Sequence, residues 1–350
     1  MSGVTGKPEL MKQMNTTLLY RTFMRLRSAT RAEVANETGL SATTIRTLFE
    51  ELLSEGELLP LALDQSSGGR RAQRYILNPL KNLILTLYQE QERERLVYQI
   101  SNLVGEVVKS GYAPIEASEP GEAVLHLIGD YLGKGDIRAV GLGVPGIVEN
   151  GRYYTGSELG TLVANDIGER IRRTFPVLLT LENDLNAVAL GYRNRYAAAH
   201  PTCNPEDFNM AYIHFNRTNA GAGMIVNGQV VHGAKRFAGE LGFLPMEGGR
   251  TLNERLPHVS SREGYLEIVS QVISIVNCVT NPELIVFGGD LFEEAWFQYA
   301  LAKLNSQTDL AGPLRPDFLF CPDCREDYLA GLTALTLDEL VPLLPLAPST

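Results

Sequence analysis

Two helix-start signals bracket a single glycine near the front of this chain, and few folds accommodate that pattern. Thr30 is followed three residues later by Glu33, the spacing of a capping box. The short helix Arg31–Glu37 that it starts runs into Gly39, which can take the left-handed conformation that stops a helix. Ser41 then caps a further helix, Ala42 to about Ser54, with Ile45, Leu48, Phe49 and Leu52 on one face. Ahead of both, Met14 to Arg27 carries Leu18, Leu19, Phe23, Met24 and Leu26 at helical spacing. The order predicts a helix-turn-helix. Leu58–Leu63 reads as a strand, Asp64–Gly69 as a turn and Arg74–Leu77 as the return strand, which makes the unit a winged one. Thr43, Thr44, Arg46 and Thr47 would face outward near the start of the third helix, where such a helix meets base edges. Arg70 and Arg71 at the hairpin tip would suit phosphate or minor-groove contact. A protein-interaction module is the alternative for a small helical head of this kind.

Charge is distributed in a compatible way. Residues 1–80 hold ten Lys/Arg and eight Asp/Glu, a net of +2, within a chain of net −10, so the remainder carries −12. An acidic body behind a mildly basic head suits contact with nucleic acid at one end only. No stretch approaches 18 apolar residues, no secretory signal opens the chain, and four cysteines are too few for a disulfide scaffold. A cytoplasmic location is expected.

After Pro79 the pattern changes. Leu83–Tyr88, Arg95–Ser101 and Gly105–Val108 read as a meander, Glu122–Leu132 as a helix, and Ala139–Val144 as a buried strand entering a turn at Pro145-Gly146. Val177–Leu181 is a strand ending at Glu182-Asn183-Asp184, followed by a helix Leu185–Tyr196. Met210–Phe215, Gly223–Val226 and Gln229–Val231 form a second meander, turning at Asn227-Gly228. Leu284–Phe287 precedes Gly288-Gly289. Meanders interleaved with helices, occurring twice, predict a two-lobed α/β body with a cleft between its lobes. The expected division is 1–80 for the head, 81–185 for the first lobe and 186–350 for the second, with a C-terminal helix returning to the first.

Several motifs in this order carry a family resemblance. Gly69-Arg70-Arg71, Pro145-Gly146, Glu182-Asn183-Asp184-Leu185-Asn186-Ala187, Gly239-Glu240-Leu241-Gly242, Gly264-Tyr265-Leu266-Glu267 and Phe287-Gly288-Gly289 resemble the ROK family of repressors, open reading frames and sugar kinases. The resemblance runs from about residue 13 to 335. The head makes the chain similar to the regulator branch, whose members respond to N-acetylglucosamine, xylose or glucose. The resemblance implies an actin-like, ribonuclease-H-like body and a homodimer or homotetramer on a palindromic operator.

Kinase chemistry is not expected. Family kinases cradle phosphate first with Asp-x-Gly-x-Thr, and the matching positions here are Glu90-Gln91-Glu92-Arg93-Glu94. Without glycine the backbone cannot approach a phosphate closely, and carboxylates repel a polyanion. The second cradle, Gly-Thr-Gly-x-Gly in the kinases, reads Arg217-Thr218-Asn219-Ala220-Gly221. The sugar-holding residues implied by the resemblance do survive as Asn183, Asp184, Glu240 and Glu267, and carboxylates and amides grip hydroxyls with directional hydrogen bonds. Read without the resemblance, Asn183 caps a helix and the two glutamates are ordinary loop residues. The family histidine falls on Phe243, and the family's zinc-binding cysteines fall on His258–Tyr265, which contains no cysteine, so no structural zinc or other cofactor is expected. Cys321-Pro322-Asp323-Cys324 and the histidines His200, His214, His232 and His258 read as unengaged. The reading is a DNA-binding regulator of sugar genes, probed by a sugar or sugar-phosphate effector. The alternatives are a regulator answering to a protein partner and a sugar kinase with an accessory head.

Overall fold

A computed structural model describes residues 6–61, 72–90, 93–115, 120–156, 161–289, 294–307 and 315–344. Arg70 and Arg71, the turn Asp64–Gly69, Gln91 and Glu92 lie outside them. In chain order the head comprises α1 (Gly6–Leu26), β1 (Ala29–Thr30), α2 (Arg31–Thr38), α3 (Ala42–Ser54), β2 (Leu58–Pro60) and β3 (Arg74–Leu77). There follow β4 (Leu83–Glu90), β5 (Arg95–Ser101), β6 (Val107–Pro114), α4 (Pro120–Leu132) and β7 (Ile137–Val144). A small set comes next: β8 (Ile147–Glu149), β9 (Arg152–Thr155), β10 (Val163–Asn165) and α5 (Ile167–Thr174). Then come β11 (Leu178–Asn183), α6 (Asp184–Ala199), β12 (Met210–Phe215), β13 (Ala220–Val226), β14 (Gln229–Val230) and α7 (Leu252–Arg255). The chain closes with α8 (Arg262–Thr280), β15 (Leu284–Gly288), α9 (Glu294–Gln307), β16 (Asp317–Phe320) and α10 (Arg325–Leu340).

The chain divides into two compact units, residues 1–141 with 174–180 and 335–350, and residues 142–173 with 181–334. In the first unit the head is built as its caps dictate. Thr30 and Glu33 form the reciprocal box at the start of α2, Gly39 ends that helix at φ 69°, and the Ser41 hydroxyl accepts from Thr44 N–H to start α3. A three-stranded antiparallel sheet, β1-β3-β2, closes the head. The strand β1 escapes a periodicity reading because two residues carry no alternation. The helix α1 begins earlier than the Met14 expected, because its added turns leave Leu10 and Met11 exposed and so show no core-facing stripe. Phe49 sits at the centre, 5.8 Å from the Phe23 ring and edge-on to Tyr75 at 5.1 Å, with the Arg31 guanidinium 5.5 Å from both the Phe49 and Tyr75 rings.

That apolar cluster does not end with the head. Ile84, Leu103, Ala139, Leu337, Leu340, Val341 and Leu344 belong to the same buried cluster as Leu19, Phe23, Leu48 and Phe49. Polar contacts reinforce the joint: Tyr20 donates its hydroxyl to Glu57, whose carboxyl burial pushes up against the opposing pull of Asn82 and Arg138. A five-stranded sheet runs in the order β11-β7-β4-β5-β6.

The second unit holds the sheet β14-β13-β12-β15-β16, in which β12–β13 is antiparallel and β12–β15–β16 parallel, and the small antiparallel sheet β10-β9-β8. Its core joins Ile213, Phe215, Ile285 and Phe287 of the larger sheet to Tyr265, Ile268, Val272 and Val276 of α8 and Phe297 of α9. The small sheet, α5, α7, α8, α9 and β16 carry no signal read from the sequence, whereas α10 is the expected C-terminal helix. Among the described residues no helix is long and apolar enough to cross a membrane.

Candidate functional site

The second unit brings two backbone segments together on β13. A Cβ on Gly223 would lie 2.0 Å from the Leu185 carbonyl oxygen, and one on Gly239 1.9 Å from that of Ala222. Ala222 N–H donates to the Gly239 carbonyl at 2.7 Å, and Gly239 sits at φ 92°, which other residues rarely adopt. Only glycine permits either approach. The start of α6 and the Gly239–Phe243 segment are thereby held against adjacent positions of one strand, with Asp184 and Glu240 brought near each other.

Asn183 is the N-cap of α6. Its side-chain oxygen accepts from Leu185 N–H and Asn186 N–H at 2.9 and 3.1 Å, and its amide donates to the Gly146 carbonyl at 2.9 Å. The residue therefore fulfils the capping role open to it in the sequence. It also ties the Pro145-Gly146 turn to the helix. Asp184 accepts from Leu185 N–H at 2.8 Å, yet burial raises its pKa to about 6. Glu240 is pushed up to about 7, first by burial and then by the neighbouring Asp184 charge. Among the described residues the Glu240 carboxyl has no hydrogen-bond or ion-pair partner. A half-buried carboxyl beside another carboxyl, with neither paired to a cation, is an arrangement that hydroxyl donors would relieve.

Glu267 is engaged differently. It lies on α8, is exposed, and its carboxylate takes a hydrogen bond from Arg255 at 2.9 Å. Asn183, Asp184 and Glu240 thus share one neighbourhood, while Glu267 is occupied by its own cation.

Sequence reasoning missed a buried centre behind Asn183. Glu182 is only 4% exposed. It accepts from His232 Nε2 at 2.8 Å, Asn186 Nδ2 at 3.0 Å and Asn183 N–H at 2.8 Å, and Arg236 stands 3.6 Å away. Burial raises its pKa, but the His232 and asparagine hydrogen bonds outweigh this and hold it below the usual carboxylate range. His232 was read as unengaged because its partner lies fifty residues earlier, and spacing along the chain carries no sign of it. Cys321 is buried beside the bidentate Arg195–Asp327 pair at 2.7 and 2.8 Å, whose arginine comes from 126 residues earlier.

The described residues at the positions matching the phosphate cradles bond to neighbours in their own turns. In the turn between β12 and β13, the Asn216 side-chain oxygen accepts from Thr218 N–H at 2.9 Å and Asn219 N–H at 2.7 Å. These backbone donors are spent inside the turn. In the β4–β5 hairpin, Glu90 opposes Arg95 and pairs with it and, at 3.8 Å, with Arg93. The Glu90 carboxylate at that tip is locally neutralised. Among the described residues no group of three or more His, Cys, Asp or Glu side chains is arranged to hold a metal ion.

In the head, Thr43, Arg46 and Thr47 are exposed on α3 and Thr44 is half-buried, opposite the buried Ile45, Leu48, Phe49 and Leu52. Arg46 is ion-paired to Glu50 at 2.8 Å, and Thr47 donates to the Thr43 carbonyl at 3.1 Å.

A mixed α/β chain with glycine-pinned carboxylates at a helix start has the build of the sugar-kinase-like folds. Residues 100–260 match the ROK family. It is 27% identical over 254 residues to the xylose repressor of Caldicellulosiruptor bescii, covering 68% of this chain and 60% of that protein. The chain thus matches about three fifths of the length of such relatives. A ROK family transcriptional regulator described as a homolog of the Escherichia coli Mlc protein shares the fold at a TM-score of 0.69, 17% identity, and coverage of 96% of this chain and 99% of that one. The ROK hexokinase of Thermus thermophilus superposes at 0.51, 18% identity, covering 74% and 99%.

Proposed function

We propose that the chain is a DNA-binding transcriptional repressor of sugar-metabolism genes, working in the cytoplasm as a homodimer or homotetramer and governed by a sugar held at Asn183, Asp184 and Glu240. Glu267 joins that site by releasing Arg255. Residues 1–80 are a winged helix-turn-helix. Thr43, Thr44, Arg46 and Thr47 meet base edges, and Arg70 and Arg71 meet phosphate. The observation that carries the reading is α3 itself. Its apolar side is spent inside the head, and its exposed side offers hydroxyls and a guanidinium at the helix start, chemistry suited to the major groove. The xylose repressor name of the relative supports the same conclusion.

The reading excludes phosphoryl transfer, which requires backbone donors around the phosphates. Those of Thr218 and Asn219 are already engaged. Asp184 then serves as a hydroxyl acceptor only.

The test uses a random-sequence duplex library selected on the full chain. Fluorescence anisotropy on the selected duplex should show Arg46→Ala weakening binding by about 1–3 kcal/mol. Equal binding by the variant, or no enrichment of any sequence, refutes the assigned surface. ATP-dependent phosphorylation of any hexose refutes the exclusion of kinase activity.

A further inference from the structure

The residues flanking Glu240 are aromatic, and they stand apart from the core. Phe237 is 37% exposed and Phe243 half-buried. Neither belongs to the buried cluster of this unit nor to the partly buried side chains packed on it. They contact each other instead, with ring centroids 5.4 Å apart and planes tilted by 40°. The backbone brings them to either side of the carboxyl: Glu240 N–H donates to the Phe237 carbonyl at 3.3 Å, and Phe243 N–H to the Glu240 carbonyl at 3.2 Å. The turn is fixed from outside, since Leu241 is buried and Gly239 is bonded to Ala222.

Exposing an aromatic ring forgoes the burial that drives folding, and a ring pair kept off the core invites an explanation. Here the pair borders a carboxyl with no partner of its own. Carboxyl and aromatic surface side by side match a molecule that offers hydroxyls on one edge and C–H groups on another. The two cations beside Phe237 in the chain already face carboxylates, Arg236 that of Glu182 and Lys235 that of Glu149 at 3.8 Å, which disfavours a ligand carrying a further negative charge.

We propose that Phe237 and Phe243 form an aromatic subsite that makes this site selective for an uncharged monosaccharide bearing a deoxy or methyl carbon, held with its hydroxyls on Asp184 and Glu240. This rests on the sugar-binding reading above. An apolar subsite discriminates by leaving a hydroxyl unpaired, and a methyl group placed there gains from burial. Phe243 is the selective position, because a polar side chain there would accept the hydroxyl that the ring rejects.

The test is isothermal titration of the full chain with matched pairs: D-glucose and 6-deoxy-D-glucose, D-galactose and 6-deoxy-D-galactose, L-mannose and L-rhamnose, together with D-glucose 6-phosphate. The expected result is one pair in which the deoxy member binds at least about tenfold tighter, and no binding of the phosphate. Phe237→Ala, at an exposed ring, should remove most of that preference while thermal melting stays unchanged, and Phe243→His should shift it toward the hydroxylated member. Sugars binding with no preference for the deoxy member in any pair, or preference untouched in both variants, overturn the subsite alone. No binding by any sugar overturns the sugar reading and the subsite with it. Preferred binding of the phosphate also overturns the subsite, since it places a charge where the rings require an apolar carbon.

Discussion

Glu240→Gln keeps the shape of the side chain and removes its charge. In the folded chain the carboxyl is pushed from an ordinary 4.5 to about 7 by burial and by Asp184. The unfolded chain ionises it near 4.5. Below that value both states hold the proton and the carboxyl is neutral. From there up to about 7 the folded state keeps a proton that the unfolded state has given up, so stability falls as pH rises, and the loss is complete above about 7. At full value the span corresponds to about 3 kcal/mol. Water reaching a half-buried side chain reduces this to about 1–2 kcal/mol. The glutamine variant should therefore match the parent at pH 4.5 and exceed its stability by that amount at pH 8. Urea unfolding followed through the fluorescence of Trp296, the single tryptophan, reports on the second unit, where the indole stands edge-on to Tyr265 at 5.3 Å. A midpoint difference that is flat between pH 4.5 and 8, or a variant weaker than the parent at pH 8, refutes the burial and the carboxylate neighbour as causes.

Other outcomes follow from the same geometry. His232→Ala removes a donor from the buried Glu182 and should cost about 1–3 kcal/mol at pH 7. Because that carboxyl is held below its ordinary range, the stability it supplies is present above about 4.5 and is lost as pH falls, so the variant should converge on the parent in acid; a difference that persists there counts against the assignment. Phe49→Ala should destabilise the first unit by about 3–5 kcal/mol in chemical denaturation, and a cost below 1 kcal/mol would contradict its central place in the cluster. Ser41→Ala should lower stability by about 1 kcal/mol through the lost cap of α3, read as a shift in the thermal midpoint.

The sequence revealed those parts of the fold whose signals are local. Capping residues at Thr30, Glu33 and Ser41 fixed the head, and strands with unbroken apolar runs, such as Met210–Phe215, were found at their true bounds. Elements set by tertiary packing were not visible. The strands β8 to β10 are three or four residues long and lack alternation, and α1 extends through turns whose apolar residues face outward. Asn183, Asp184 and Glu240, expected together from the family motifs, share one neighbourhood in the structure, whereas Glu267, expected with them, pairs with Arg255. Glu182 with His232 and Phe237 with Phe243 were not legible, because each pairing depends on where the backbone turns rather than on which residues are neighbours in sequence.

The shared cluster of the first unit has a bearing on how the protein is made. Leu337, Leu340, Val341 and Leu344 complete the apolar interior that Leu19, Phe23 and Phe49 begin. The head is synthesised well before these residues and lacks part of its interior until they leave the ribosome. Segments emerging at about 5–20 residues per second leave it unfinished for tens of seconds. Over that interval the nascent chain exposes an oily surface for chaperones to shield, and a copy cut short before Leu337 would lack the means to finish its own beginning.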